Sequence, residues 1–183
     1  MGSKIDDTIS KIRILGLRVV GHNDWAVAYQ DKDKLKFIHN EFGRVHPMAF
    51  DYIAIEKHFL ICMNGDMDRE PEHFIFIKSN FDSLFPSSQR YYAHSGAKDG
   101  AELLVVKQHG NSSLTLVIND IGKSIQLNTG RFSVNCNLVD GYYAIQSYLS
   151  SRKDINGNIV PHTYAILDRD LNIIKKRRSY NDE

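Results

Sequence analysis

Scarcity narrows this chain before any motif does. It holds two cysteines, Cys62 and Cys136. Two are too few for the disulfide framework of a small secreted domain. Each sits in an apolar or alternating run, Leu60-Ile61-Cys62-Met63 and Val134-Asn135-Cys136-Asn137. Buried free thiols in a reducing compartment are therefore expected, with a single bridge as the alternative. Charge of one sign is scarce as well: the formal net charge is +1. That gives no broad electrostatic field for nucleic acid or a membrane surface. No apolar run approaches the roughly 18 residues needed to cross a bilayer. Asp6 and Asp7 stand where a secretory signal would be basic and then apolar, so the expected address is the cytoplasm.

Catalytic signatures are missing too. There is no Gly-x-Ser-x-Gly elbow and no Gly-rich strand–loop–helix to cradle phosphate. Eight histidines are present, but without His-x-His, His-Glu-x-x-His or Cys-x-x-Cys spacing. No catalytic residue, metal ligand or cofactor is assigned. The loop Asp66-Met67-Asp68-Arg69-Glu70 gathers three acids without a full cation-binding frame, so it reads as a solvated loop.

What is present is a pattern. Leu35-Lys36-Phe37-Ile38-His39-Asn40-Glu41-Phe42-Gly43 reads as a strand, a polar turn and a return. The pattern recurs at 74–82, 114–122 and 164–172. The apolar residues that close the turns are Phe42, Phe81, Ile121 and Leu171, spaced by 39, 40 and 50 residues. With 42% hydrophobic and 25% charged residues over 183 positions, the chain can bury a sizeable core.

The expected fold is mainly β. About four repeated β-hairpin units of roughly 40 residues would form one domain over 1–183, either propeller-like or as packed antiparallel sheets. A lead-in over 1–24 carries a short helix with Ile5, Ile9 and Ile12 on one stripe. The units are placed near 25–57, 58–100, 101–141 and 142–183. The loops at 64–73, 94–100 and 148–161 differ most between units and are expected to carry function.

The unit resembles the WG-repeat family. The best copy is Ala26-Val27-Ala28-Tyr29, then Phe37-Ile38-His39-Asn40-Glu41-Phe42-Gly43-Arg44-Val45-His46-Pro47, then Phe50-Asp51-Tyr52. The last, Tyr143-Ala144-Ile145 with Ile166-Leu167-Asp168-Arg169-Asp170-Leu171, follows it more loosely. The Trp-Gly dipeptide that names the family is absent, since Ala26 follows Trp25. The resemblance implies a β-repeat binding or structural module.

Aromatic residues at matching places near strand ends supply candidate binding positions: Trp25, Tyr52, Tyr91, Tyr92, Tyr142 and Tyr143. Such side chains offer large contact area at small entropic cost. The dense basic run Lys175, Lys176, Arg177 and Arg178 could touch phosphate or guard a sheet edge. The leading expectation is a non-enzymatic bacterial or phage module, of the inhibitor or immunity type. It would engage a protein partner or sequester a small polar ligand. A hydrolase or metal-dependent enzyme with a His/Asp site assembled across units is the second reading. Nucleic-acid binding through 175–178 is the third.

Overall fold

The computed structural model of the chain describes residues 4–66, 68–69, 71–84, 91–98, 101–108, 114–129, 134–147 and 153–176. The protein is mainly β, with one helix and four antiparallel sheets among the described residues. It divides into two compact units, residues 1–91 and 92–183.

Unit 1 opens with α1 (Lys4–Ile14), whose Asp6 and Asp7 lie in the first turn and Lys11 and Arg13 in the last. That order matches the helix dipole. Gly16, at φ +77°, stops the helix. Its N–H donates to the Arg13 carbonyl at 2.9 Å, and the Leu17 N–H donates to the Ile12 carbonyl at 3.3 Å. This left-handed cap satisfies carbonyls that the helix end would otherwise leave open. The β-prone run at 13–20 is therefore split by Gly16, and only its second half is strand.

The first sheet is the meander β1 (Arg18–His22), β2 (Ala26–Asp31), β3 (Lys34–His39) and β4 (Arg44–Val45). The second is β5 (Tyr52–Ile55), β6 (Phe59–Asn64) and β7 (Glu72–Ile77). β2 is buried on both faces, and the period of two divides the work. Val27 and Tyr29 pack with Ile5 and Ile12 of the helix. Ala26 and Ala28 lie in the cluster of Trp25, Phe37, Phe50, Ile53, Leu60, Cys62, Phe74 and Phe76, which joins the two sheets. The small alanines leave room for the rings.

Unit 2 pairs β8 (Tyr91–Lys98), β9 (Ala101–Gln108), β10 (Leu114–Ile118) and β11 (Ser124–Asn128) in one sheet. The other holds β12 (Asn135–Val139), β13 (Tyr142–Ser147), β14 (His162–Leu167) and β15 (Ile173–Lys176). Their shared core is mostly aliphatic: Leu103, Val105, Val117, Leu127, Ile145, Leu167 and Leu171, with Tyr143 and Tyr164. The loop expected over 94–100 is strand as far as Lys98. Its small residues hid a strand that pairing with β9 supplies. Of the loop expected at 148–161, residues 148–152 lie outside the described residues, and Lys153 bridges Ile159.

The four turns singled out in the sequence all leave the third strand of a sheet. In the first, third and fourth sheets they lead into β4, β11 and β15. In the second, residues 80–84 run back beside β7, with the Leu84 N–H donating to the Ile75 carbonyl at 2.8 Å. The chemistry recurs as well. Asn119 accepts N–H bonds from Ile121 (3.2 Å) and Lys123 (2.9 Å). Asp168 accepts from Asp170 (3.0 Å) and Asn172 (2.8 Å). Side-chain oxygens that mimic a backbone acceptor fix such turns. Both thiols are free; burial pushes the Cys62 thiol well up, and that of Cys136 up to about 12.

Candidate functional site

A concavity lies at the turn end of unit 1, where the β1–β2 link meets the β5–β6 link. Asn23 ties the two together. Its Oδ1 accepts the N–H groups of Trp25 (3.0 Å) and Ala26 (2.9 Å), and its Nδ2 donates to the Glu56 carbonyl at 3.0 Å. One amide thus caps its own turn and anchors the neighbouring one. Gly21, on β1, lies close to this junction: a Cβ there would lie 2.7 Å from Ile55 Cδ1, so that side-chain tip would have to turn aside. The junction forms an open groove of about 290 Å³ lined by His22, Asn23, Asp24, Ile55, Glu56 and Lys57.

Ile55 gives this groove an apolar wall. Asp24 and Glu56 bring carboxylates, Lys57 an ammonium and His22 an imidazole. The His22 Nδ1–H donates to the Asn23 carbonyl at 3.3 Å, which leaves Nε2 as that ring's second polar atom. Among the described residues, no hydroxyl or thiol lines the groove. Its chemistry is recognition of a small group carrying both charge and hydrogen-bonding atoms.

The aromatic candidates whose side chains are described differ in exposure. Trp25 is 2% exposed, part of the unit 1 core, and its ring sits 4.8 Å from that of His39. Tyr52 and Tyr142 are exposed at 49% and 45%. Tyr143 is buried against the unit 2 core, and burial raises its phenol above the ordinary value. Neighbouring strand residues face opposite ways, so Tyr142 and Tyr143 could not share one role. Tyr91 and Tyr92 fall on β8, whose side chains lie outside the described residues. Lys175 and Lys176 are exposed on the outer strand β15, while Arg177 and Arg178 lie outside the described residues.

Compared with family models, curated proteins and solved structures, the chain matches none.

The acidic loop serves itself. Asp66 accepts the Asp68 N–H at 2.9 Å and pairs with Arg69 at 3.9 Å. No group of three His, Cys, Asp or Glu poised for a metal occurs among the described residues. The groove residues themselves carried only a turn signal in the sequence, Gly21-His22-Asn23-Asp24. Nothing local joined that turn to Ile55-Glu56-Lys57, 31 or more residues away.

Proposed function

We propose that the chain is a non-enzymatic binding module built from four β units. It engages a protein partner through a short polar segment, or sequesters a small polar ligand. One observation carries this reading: two inter-strand links, locked together by Asn23, frame a groove of about 290 Å³ with an apolar wall and both signs of charge. That volume suits a few side-chain groups or a chain terminus rather than a large cofactor. The four-unit reading draws support from the turns at Asn40, Asn80, Asn119 and Asp168, each following the third strand of its sheet. The WG-repeat resemblance rests on the same turns.

Pull-down with native mass spectrometry on the full chain tests it. Recovered partner or ligand should be lost with the Asp24→Lys/Lys57→Glu variant, which exchanges the charges at the two exposed positions and leaves Glu56 and the core in place. Binding that ignores this variant, or turnover of a substrate, overturns the reading.

A further inference from the structure

We propose that His39 and His46 form a proton-operated latch between the two sheets of unit 1, closed while both rings are neutral and released when they take up protons. Both rings are essentially buried, at 0% and 4% exposure. His39 ends β3 and reaches across to the other sheet: its Nε2 lies 2.9 Å from the Ile77 carbonyl at the end of β7. A carbonyl can only accept, so Nε2 carries the proton. The other nitrogen, Nδ1, meets no hydrogen-bonding partner among the described residues. A second proton there would create a buried cation, and although the backbone carbonyls of Ile77, Asn80 and His39 favour that cation, the cost of taking it out of water outweighs them.

His46 is held neutral by the opposite arrangement. Its Nδ1 accepts the Met48 N–H at 3.2 Å, so protonating that atom destroys the bond it makes. The ring stacks on Phe37 of the first sheet (5.1 Å between centroids, 13°) and meets Phe76 of the second edge-on (4.7 Å). Phe81 lies against His46 at 4.9 Å and His39 at 6.2 Å, and also against Phe42 at 5.7 Å. Phe81 is therefore a ring that both histidines hold in place.

The charges around the pair do not neutralise it. Glu41 favours the His39 cation, but Lys78 stands 3.9 Å from the Glu41 carboxylate. Asp82 favours the His46 cation, and Arg44, whose guanidinium lies 4.0 Å over the Phe81 ring, opposes it. The two histidines also repel each other once charged. Trp25 and Ile77 face His39, and Phe37, Phe50 and Phe76 face His46, without a titratable group among them. Desolvation is the largest influence on both rings and lowers their affinity for protons. Released or unfolded, each ring would titrate near pH 6.5. The open form then binds more protons than the closed form below that pH. The closed form loses stability as pH falls through and below about 6.5, and is unaffected above it.

The chain carries its own reporter, because Trp25 is its single tryptophan and touches His39. The experiment follows Trp25 emission, the histidine Cε1–H resonances and far-ultraviolet circular dichroism of the full chain against pH. The expected result is a loss and red shift of Trp25 emission in one step below pH 6.5, coincident with two histidine resonances, while the strand signal stays constant. The double variant His39→Gln/His46→Asn keeps an amide donor toward Ile77 and a carbonyl acceptor for Met48 but cannot titrate, and it should lose the step. Three outcomes overturn the latch: emission that stays flat while the histidines titrate, a step that persists in the double variant, or a step that coincides with loss of all strand signal. If the double variant does not fold, the coincidence or separation of the wild-type signals decides.

Discussion

Unit 1 and unit 2 each close two antiparallel sheets over a shared core, the first with rings and the second mainly with branched aliphatics. Trp25, Phe37, Phe50, Phe74 and Phe76 fill the first. Leu103, Val105, Val117, Leu127, Ile145, Leu167 and Leu171 dominate the second. Rings cover area with few rotatable bonds, but those of tryptophan and histidine bring polar edges inside. In unit 1, Trp25 Nε1, His39 Nδ1 and Asn40 Nδ2 are buried without a partner among the described residues. Unit 2 also buries a histidine, His162, edge-on to Tyr164 at 4.6 Å, and no second histidine ring lies against it among the described residues. Its polar work runs along a row from Asn137 to Gln146 to Thr163, each bond 3.0 Å. The same sheet pairing thus yields, among the described residues, a core with a coupled pair of histidines in unit 1 and a core without one in unit 2.

The largest test of that contrast removes one side chain from each core. Phe37 is fully buried and contacts Phe50, Phe76 and His46. Phe37→Ala should cost about 3–5 kcal/mol, at the top of the range for core truncations. Leu167→Ala, equally buried, should fall lower within about 2–5 kcal/mol. Denaturant midpoints, read by Trp25 emission for the first and circular dichroism for the second, make the comparison. A larger loss at Leu167 would break the claim that rings carry more of their unit.

A smaller effect is expected where the links of unit 1 meet. Gly21→Ala drives a methyl toward Ile55 Cδ1, the tip of a flexible side chain that can turn aside, and should cost about 0.5–1.5 kcal/mol, the penalty of moving that tip off its rotamer. Ile55→Val deletes that carbon at about 0.5–1.5 kcal/mol. Because the two changes share one contact, the double variant should cost less than their sum. Additive losses would show that Gly21 is required for some reason other than this approach.

Most of the strand content was legible because apolar alternation and turn chemistry coincide, as in Leu35–Gly43 and 114–122. Strand β8 was not, because Ser95, Gly96 and Ala97 give no alternation and their pairing comes from β9. The expected boundaries near 25, 58, 101 and 142 fall inside the sheets for a related reason. Each sheet begins one strand earlier than the strongest signal, so β1 was read as lead-in and Tyr52 as an anchor instead of the start of β5. The groove was illegible because its two halves are ordinary turns until Asn23 bridges to Glu56. The paired histidines were invisible because their partners are a backbone carbonyl, a backbone N–H and rings from other strands.

The smallest expected effect, at Asn119 of unit 2, sets the scale for one turn position compared between the two units. Asn119 in unit 2 spends its side-chain oxygen on two backbone N–H groups, as Asp168 does. Asn119→Ala should cost about 1 kcal/mol through those bonds, whereas Asn119→Asp keeps both acceptor interactions and should stay within about 0.5 kcal/mol of wild type. Asn40 in unit 1 gives its oxygen to the Thr8 hydroxyl instead, at 2.9 Å. A carboxylate there would be buried against one hydroxyl and no backbone donor among the described residues, so Asn40→Asp should cost about 1–3 kcal/mol. Thermal unfolding of the two Asn→Asp variants at neutral pH reads the difference. Equal tolerance at both positions would mean that the unit 1 turn is held by its Gly43 backbone, at φ +67°, and that the asparagine is there for the helix.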